Sequence, residues 1–535
     1  MKLAPWVFVL LAVSTPGWTA PRPVADRSTA AAPQERAVQT RHSLRAEGRT
    51  IHYTATAGTL VLRNGDRQAI GSVFYIAYTE DGAEPDGRPL TFAYNGGPGA
   101  ASSLVNIGGY GPQRIVWPQP GDLAAAQPPY RMEPNPDSIL ASTDLVFIDA
   151  VGTGYSEIVG EGRPEDFYGV DADAAAFAQF IQRYVGEHRR WNSPKFLLGE
   201  SYGTTRSAVL ANDLAQQGTN LNGIIMCSAV LDFRTVNAVP GNDLPYIAYL
   251  PSYAAAAWYH RRLDPMPPDL PKFIAEVENF AGQAYQQALF AGSALPDADK
   301  RAIADQLASF TGIAADLWLK ADLRMPLSVF QRNVLRDRRM TGRYDERYTL
   351  LQMQPLLSVP GRGNLGPVLS AGYGALTVAM QRYLGEVLGY QSDQPYVQLS
   401  SAMDQVWNWH HRSPFTDFGM EVGNGTTCCG TNVAPVLARA MNNNPGMQLM
   451  VNHGWYDTAT PFYGVDYSLA HSGLPLALNR NIHTYYYPAG HMLYLSPTVL
   501  PQIGRNINQF IRTASARQLP SSSARNVHEQ TPASE

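Results

Sequence analysis

A serine stands between two glycines at Gly199-Glu200-Ser201-Tyr202-Gly203, directly after the apolar run Phe196-Leu197-Leu198 and before a stretch that can form a helix. In a sharp strand-to-helix turn, only glycine tolerates the crowding on either side of such a serine. The turn exposes the hydroxyl, and the N–H groups at the start of the following helix point to the same place. The five-residue pattern also occurs in ordinary glycine-rich turns, but this context favours Ser201 as a nucleophile.

A serine hydroxyl is a weak nucleophile at neutral pH, so it needs a histidine to take its proton and a carboxylate to orient that histidine. After a nucleophile of this kind, the usual chain order is acid and then histidine. Asp457 lies beyond the apolar run Leu449-Met450-Val451, and His491 follows the aromatic run Tyr485-Tyr486-Tyr487. Both positions are loops at strand ends, where α/β sheets hold catalytic groups. We therefore favour Asp457 as the acid and His491 as the base.

Other residues could fill these roles, and spacing alone does not remove them. His453 could be the base, and Asp466 or Asp417 could be the acid. The pair His410-His411 could instead bind a metal ion, but no carboxylate cluster lies at ligand spacing from it. A lone histidine is more often a hydrogen-bonded structural residue, so the sequence predicts no metal site.

An enzyme that transfers an acyl group also needs two N–H donors aimed at the developing oxyanion. The N–H of Tyr202, the residue after the nucleophile, is one donor that the turn geometry supplies. The loop Asn95-Gly96-Gly97-Pro98-Gly99 follows the apolar run at residues 90–94. Because its three glycines allow the backbone to approach a ligand closely, we expect this loop to supply the second donor.

The elements that must position these residues fall into two groups. Short β-branched and aromatic runs separated by glycine and Asn-Gly turns predict antiparallel hairpins at residues 51–56, 59–62 and 72–78. Compact apolar runs that alternate with helical patterns follow at residues 90–94, 145–148, 196–198, 223–226 and 449–451. The sequence therefore predicts an α/β fold with a mostly parallel central sheet covered by helices.

Composition divides the 535-residue chain further. Lys2 and the short apolar stretch after it are typical of a signal peptide, although no clear cleavage site follows, so we expect export to the periplasm or the cell exterior. Amphipathic runs punctuated by proline and glycine predict a helical insertion, which we interpret as a lid. The predicted divisions are a signal peptide (1–20), a flexible linker (21–45), the core (46–239 and 396–514), the helical insertion (240–395) and a disordered tail (515–535).

Bulk composition excludes several classes of protein. A net charge of -4 gives no electrostatic case for binding nucleic acid or an anionic membrane surface. Three cysteines are too few for a disulfide scaffold. A bridge from Cys227 to Cys428 or Cys429 and three buried thiols are equally compatible with the sequence.

Five motifs, in order along the chain, resemble the signature of the serine carboxypeptidases, peptidase family S10, in their secreted bacterial type. They are Asn95-Gly96-Gly97-Pro98-Gly99 with Ser102 and Ser103, Asp149-Ala150-Val151-Gly152-Thr153-Gly154-Tyr155-Ser156, Gly199-Glu200-Ser201-Tyr202-Gly203, Gly454-Trp455-Tyr456-Asp457 and Ala489-Gly490-His491-Met492. The resemblance implies an α/β-hydrolase fold and an enzyme that needs no metal or organic cofactor. It also implies that the substrates are the C-termini of peptides or small proteins.

The resemblance further implies a role for individual residues. A protonated Glu200 can donate a hydrogen bond to a substrate carboxylate, whereas an ionised one would repel it, so we expect a preference for acid pH. The implied roles are catalysis by Ser201, Asp457 and His491, an oxyanion hole from the N–H groups of Gly97 and Tyr202, and binding of the terminal carboxylate by Asn95, Gly96 and Glu200.

This chain departs from the family pattern at three places. Ala100 stands where the family usually has a cysteine of a disulfide. Gly109 precedes Tyr110-Gly111-Pro112, where many eukaryotic members carry a glutamate of the carboxylate network. The segment Met492-Leu493-Tyr494-Leu495 lacks the proline common in that place. Because Gly109 has no carboxyl group, we expect the site that binds the substrate carboxylate to lack one hydrogen bond.

The leading hypothesis is a secreted serine carboxypeptidase that forms an acyl-enzyme on Ser201. An esterase or acyltransferase that uses the same three catalytic residues is an alternative. A non-catalytic binding protein on a hydrolase fold is a third hypothesis, because a fold does not fix a function. The sequence predicts neither a nucleic-acid partner nor a stable membrane association, and it does not indicate an oligomeric state.

Overall fold

The computed structural model describes residues 34–121, 127–352, 366–412 and 430–516. The predicted signal peptide, the start of the predicted linker and almost all of the predicted tail lie outside the described residues, as do Asp417, Cys428 and Cys429. Cys227 is a buried free thiol.

One central sheet and two small two-stranded ribbons contain all the described strands. In chain order these are β1 (Ala37–Ala46), β2 (Arg49–Arg63), β3 (Ala69–Glu80), β4 (Leu90–Tyr94), β5 (Gln113–Ile115), β6 (Met132–Pro134), β7 (Asp144–Ile148), β8 (Glu157–Ile158), β9 (Lys195–Glu200), β10 (Gly223–Cys227), β11 (Arg339–Gly342), β12 (Asp345–Leu351), β13 (Gln448–Gly454) and β14 (Ile482–Tyr487).

Helices cover both faces of the sheet and fill the long connection between β10 and β13. They are α1 (Ser103–Val105), α2 (Val170–Glu187), α3 (Tyr202–Gln216), α4 (Leu244–Tyr259), α5 (Leu270–Phe280), α6 (Gln286–Ala291), α7 (Asp297–Thr311), α8 (Ala315–Lys320), α9 (Leu327–Asn333), α10 (Gly366–Arg382), α11 (Ser401–Val406), α12 (Ala434–Asn443), α13 (Phe462–Ala470) and α14 (Leu500–Ala516). Among the described residues, no helix has both the length and the apolar character that crossing a bilayer requires.

The central sheet has ten strands. Nine follow the order β1-β2-β3-β7-β4-β9-β10-β13-β14, and β8 pairs with β3. Pairing is antiparallel from β1 to β7 and parallel from β7 to β14. The predicted α/β class and mostly parallel sheet are confirmed. Because β4, β9, β13 and β14 run in the same direction, their carboxyl ends meet at one edge of the sheet.

Burial on both faces explains why the core strands are continuous apolar runs rather than alternating ones. Every residue of β9 is buried. Phe196 and Leu198 pack with the apolar side of α14 on one face of the sheet. Leu197 lies on the opposite face, in the cluster that contains the apolar side chains of α2 and α3.

Strand β1 corrects the prediction of a flexible linker that extends to residue 45. It pairs antiparallel with β2 over its whole length, from Ala37 opposite Gly58 to Ala46 opposite Arg49. Its more buried side chains alternate with exposed ones, which is the period of a half-buried strand. The polar and small residues of the segment hide this period, because few of its inward side chains are strongly apolar.

The connection between β10 and β13 contains helices α4 to α12, and these include the predicted amphipathic runs. Apolar side chains of α4, α5 and α7 form a third buried cluster that also contacts Tyr456 and Phe462 of the core. The connection also contains the antiparallel hairpin β11–β12, which the sequence pattern did not reveal. This hairpin is separate from the central sheet, and its turn reaches the loops that hold Asp457 and His491.

Candidate active site

Ser201 lies between the last residue of β9 and the first residue of α3, in the sharp turn that the sequence predicts. Its backbone has φ 57° and ψ −130°, a strained conformation for a residue with a side chain. The N–H of Ser201 donates to the carbonyl of Cys227 at 3.0 Å, and its own carbonyl accepts from the N–H of Thr204 at 2.9 Å. These bonds hold the turn, and the Ser201 side chain faces a cavity of about 360 Å³.

The glycines around Ser201 are needed for close backbone packing. A Cβ atom on Gly199 would lie closer than 3.0 Å to the carbonyl group of Gly203. A Cβ atom on Gly96 would lie equally close to the backbone N atoms of Tyr202 and Gly203. The glycine-rich loop after β4 therefore packs directly against the first turn of α3, beside the nucleophile.

Asp457 and His491 meet in a buried pair beside the same cavity. His491 Nδ1 lies 2.8 Å from Asp457 Oδ2. The Asp457 carboxylate also accepts hydrogen bonds from the N–H groups of Ala459 (2.7 Å) and Thr460 (3.0 Å) and from the Thr460 hydroxyl (2.9 Å). With every carboxylate oxygen occupied, Asp457 can hold the imidazole in one orientation and one tautomer.

The structure places Ser201 and His491 on the wall of one cavity. Within the described residues, no hydrogen bond yet joins the Ser201 hydroxyl to His491, and such bonds commonly tighten only when substrate binds. Burial lowers the pKa of His491, but the carboxylates of Asp457 and Glu200 more than offset this, so the net pKa is raised. The imidazole is therefore a stronger base than a free histidine, and it loses that role as the pH falls.

The turn of the β11–β12 hairpin fixes the loops of both residues. The N–H of His491 donates to the carbonyl of Tyr344 at 2.6 Å. The N–H of Thr458, next to Asp457, donates to the carbonyl of Arg343 at 3.1 Å, and the Thr458 hydroxyl oxygen lies 3.0 Å from the same carbonyl. Sequence reasoning missed this turn, because nothing in the local pattern links it to loops more than a hundred residues away.

The buried carboxyl group of Glu346 also joins the hairpin to the loop that holds Asp457. Glu346 Oε1 accepts hydrogen bonds from the Thr458 hydroxyl at 2.6 Å and from the Gln331 amide at 2.8 Å. The N–H of Glu346 donates to the carbonyl of Tyr456 at 3.0 Å. Burial raises the pKa of Glu346 to about 7, so this link between the insertion and the acid loop can be uncharged at neutral pH.

Gly97 and Tyr202, the two predicted oxyanion donors, line the cavity together with Ser201. The first N–H groups of a helix have no partner within the helix, so the N–H of Tyr202 is available at the start of α3. Gly97 has φ +104°, which side chains other than hydrogen rarely allow. The structure thus brings both positions to the nucleophile.

Asn95 and Glu200, two of the predicted carboxylate-binding residues, contact each other directly. Asn95 Nδ2 donates to Glu200 Oε2 at 2.6 Å, and Asn95 Oδ1 accepts from the N–H of Val105 at 3.1 Å. Glu200 is only 4% exposed. Burial raises the pKa of Glu200 against the opposing effects of His491 and Asn95, so its carboxyl group keeps its proton to a higher pH than a free glutamate.

The position of Asn95 depends on a buried ion pair that sequence reasoning missed. Arg206 Nη1 donates to the carbonyl of Asn95 at 2.8 Å, and Arg206 Nε donates to Asp173 Oδ2 at 2.6 Å. Both charged side chains are buried. An arginine one turn into the helix after the nucleophile, with an aspartate in the preceding helix, was the available signal.

Tyr494 explains the departure at Gly109. A Cβ atom on Gly109 would lie closer than 3.0 Å to the Cβ of Tyr494, so the tyrosine leaves no room for a side chain there. The Tyr494 hydroxyl lies 3.5 Å from Asn95 Nδ2, where it can accept a weak hydrogen bond. The space beside the carboxylate site is therefore filled by an aromatic residue instead of a glutamate.

This packing predicts that Gly109→Ala destabilises the protein. We expect the free energy of unfolding to fall by about 1–3 kcal/mol, because the added methyl group overpacks a filled site. Denaturant unfolding measures the change. Gly385→Ala is the matched control. Gly109 and Gly385 each lie in a π-helical turn, Asn106–Tyr110 and Tyr383–Val387, but a Cβ atom added to Gly385 would meet no atom within 4 Å. Equal effects of the two substitutions would contradict the packing argument.

The rival residues lie in other surroundings. His453 Nε2 is 3.6 Å from Asp466 Oδ1, and Asp466 accepts a hydrogen bond from the Tyr486 hydroxyl at 2.8 Å. His411 Nδ1 is 2.6 Å from Asp171 Oδ1, beside a separate cavity at the start of α2. Among the described residues, no cluster of three side chains of the metal-binding types surrounds them.

Part of the chain, including Ser201, matches a known protein family. Residues 56–249 match the family model described as serine carboxypeptidase. Over these residues the chain is similar to the serine carboxypeptidases. The matched residues include Asn95, the glycine-rich loop and Ser201, whereas Asp457 and His491 lie further along the chain. Serine carboxypeptidases are hydrolases, and the match supports an enzyme of this type.

One of the solved structures that match agrees in fold. Kex1Δp, a prohormone-processing carboxypeptidase from Saccharomyces cerevisiae, matches with a TM-score of 0.54 and 15% identity, covering 87% of this chain and 92% of its own. Proline iminopeptidase from Mycobacterium smegmatis matches more loosely, with a TM-score of 0.35 and 14% identity, over 86% of this chain and 99% of its own. The predicted α/β-hydrolase fold is confirmed. No curated protein matches this chain in sequence.

Proposed function

We propose that this protein is a serine carboxypeptidase that acts after export and removes C-terminal residues from peptides through an acyl-enzyme on Ser201. His491 takes the hydroxyl proton as Ser201 attacks the last peptide carbonyl, and Asp457 stabilises the imidazolium that forms. The N–H groups of Gly97 and Tyr202 bind the oxyanion. His491 then protonates the leaving amine, and water releases the shortened peptide.

The contact between Asn95 and Glu200 beside Ser201 carries this proposal. Attack on an ester or an internal peptide bond gives no reason to bury a carboxyl group next to the nucleophile. A neutral carboxyl group and an amide can both donate hydrogen bonds to a substrate carboxylate, and the Gly96 N–H lies in the same loop. This set of donors favours a free peptide C-terminus over an ester or an amide.

The pH dependence follows from the two raised pKa values. The pKa of Glu200 is raised, so its neutral form persists to a higher pH and is lost as the pH rises through that value. The pKa of His491 is also raised, so its neutral form is lost as the pH falls. Cleavage of free-acid peptides therefore needs a pH low enough for Glu200 and high enough for His491, which favours mildly acid conditions.

We expect cleavage of a free-acid peptide to weaken with rising pH more than cleavage of the same peptide as a C-terminal amide or ester. The measurement is the ratio of the two kcat/KM values across pH, because both substrates need neutral His491 and its titration cancels. In Glu200→Gln, whose amide donates at every pH, the ratio is expected to become independent of pH.

Glu276→Gln, an exposed glutamate on α5, is the control and should keep the wild-type pH dependence. Identical pH profiles for the free-acid and blocked peptides in the wild-type enzyme would contradict recognition of the carboxylate by Glu200. They would instead favour an esterase or acyltransferase that uses the same catalytic residues.

A further inference from the structure

The cavity above Ser201 has one permanent charge on its described wall. Most of the side chains that line its volume of about 360 Å³ are apolar, amide, hydroxyl or phenol groups. Apart from tyrosines, the ionisable side chains on the described wall are Glu200, His491 and Arg343, and the permanent charge is that of Arg343. The proposed reaction uses Glu200 and His491, whereas Arg343 has no role in it.

Arg343 is held rigidly beside the reacting groups. It stands in the turn of the β11–β12 hairpin, and its carbonyl accepts a hydrogen bond from the N–H of Thr458, the residue after Asp457. The carbonyl of the next residue, Tyr344, accepts from the N–H of His491. The backbone that carries the Arg343 side chain is thus tied to the loops of both the acid and the base.

The acidic residues of the same turn do not neutralise Arg343. The Asp345 carboxylate lies 2.6 Å from Arg347 Nη2, and Arg347 Nη1 donates to the carbonyl of Pro488 at 2.8 Å. The Glu346 carboxyl group is directed inward, where it accepts from Thr458 and Gln331. Both acids have other partners, although they are close to Arg343 in sequence.

The Arg343 side chain is exposed to the cavity. Within residues 34–121, 127–352, 366–412 and 430–516, no hydrogen bond or ion pair holds its guanidinium group. Burial lowers the pKa of His491, and the positive charge of Arg343 adds to that lowering, so the guanidinium acts on the catalytic centre. A guanidinium with free N–H groups beside apolar walls matches the geometry of a carboxylate, which it can bind through two parallel hydrogen bonds.

We propose that Arg343 binds the side-chain carboxylate of an aspartate or glutamate next to the scissile bond, so that the enzyme prefers peptides with acidic C-terminal ends. The assignment rests on the proposed carboxypeptidase reaction. The terminal carboxylate already has donors in Asn95, Gly96 and Glu200, which leaves the substrate side chain as the partner for Arg343.

Peptide pairs that differ only by glutamate or glutamine test the assignment, with the exchange at the last or the penultimate residue. Mass spectrometry of the products gives kcat/KM for each peptide. For the wild-type enzyme we expect the glutamate peptide to be favoured by about 10- to 100-fold at one of the two positions, the effect of a charge-assisted pair. In Arg343→Met we expect that preference to be lost.

The ratio within a pair is the readout, because removing the guanidinium also changes the electrostatics at His491 for every substrate. Arg339→Met is the matched control, since Arg339 lies in the same hairpin, is exposed and pairs with Asp337 at 2.7 Å. This variant should keep the wild-type preference for glutamate.

Each outcome decides between explanations. A glutamate preference that is absent from the wild-type enzyme, or that persists in Arg343→Met at both positions, overturns the role of Arg343 while leaving the proposed function intact. If Arg343→Met instead removes the preference for free-acid over amidated peptides, the guanidinium binds the terminal carboxylate and the side-chain assignment is wrong. Failure of the wild-type enzyme to shorten any peptide of the set overturns the proposed function, and the assignment with it.

Discussion

Ser201→Ala is expected to lower kcat by a factor on the order of 10⁶, the loss typical of removing a serine nucleophile. The residual rate would come from the oxyanion donors and substrate binding alone. Alanine keeps the backbone strain of the turn and removes only the hydroxyl, so the fold should persist. Single-turnover kinetics on a short peptide and thermal unfolding measure the two effects separately.

An organophosphonate probe provides an independent test of the same residue. The wild-type enzyme should be labelled at Ser201, and Ser201→Ala should not be labelled. Ser43→Ala, at an exposed position of β1, is the control and should behave as the wild type does. Labelling of Ser201→Ala at another serine, or peptide cleavage at an undiminished rate, would show that the nucleophile lies elsewhere.

Asp457→Asn is expected to lower kcat by about 10⁴-fold, because asparagine favours the wrong tautomer of the histidine and cannot stabilise its positive charge. Asp457 raises the pKa of His491, so the acid limb of the kcat profile should also move to lower pH in this variant. Steady-state kinetics across pH measure both changes.

Asp466→Asn is the matched comparison, because Asp466 is the rival acid and lies 3.6 Å from the rival base, His453. It should leave kcat within about threefold of the wild-type value, because the half-buried Asp466 accepts a hydrogen bond from Tyr486 and does not bond to His491. A larger loss in Asp466→Asn than in Asp457→Asn would reverse the assignment of acid and base.

The positions of the proposed nucleophile, acid and base could be predicted because each follows a core strand. The strands β9, β13 and β14 are recognisable as buried apolar or aromatic runs, and their parallel arrangement brings the three loops to one edge. The glycines of the turn and of the loop after β4 mark close backbone approaches that no other residue permits. Local sequence is enough where burial and backbone geometry impose the pattern.

The hairpin turn around Arg343 could not be predicted in the same way. Its strands are mostly polar and charged and form a two-stranded ribbon outside the central sheet, although Tyr348 of β12 packs in the core. The turn positions the site through hydrogen bonds with Thr458 and His491, which are remote from it in sequence. The ion pair of Arg206 with Asp173 is a similar case, since packing of α3 against α2 creates it.

Gly109 shows how a family departure gains meaning from packing. Sequence comparison identifies only a missing glutamate, which predicts a weaker carboxylate site. The structure shows that Tyr494 occupies the adjoining space and brings its hydroxyl to Asn95, while Glu200 and Asn95 keep their direct hydrogen bond. The donors nearest the nucleophile are therefore preserved despite the departure.

Mass spectrometry of a timed peptide digest tests the central claim most directly. A peptide with a free C-terminus and the same peptide with a C-terminal amide are each incubated with the wild-type enzyme at mildly acid pH. We predict a ladder of products that lose one residue at a time from the free C-terminus, formed faster than from the amide. Internal cleavage fragments, or equal rates of attack on the free-acid and amidated peptides, would contradict a carboxypeptidase that recognises the terminal carboxylate.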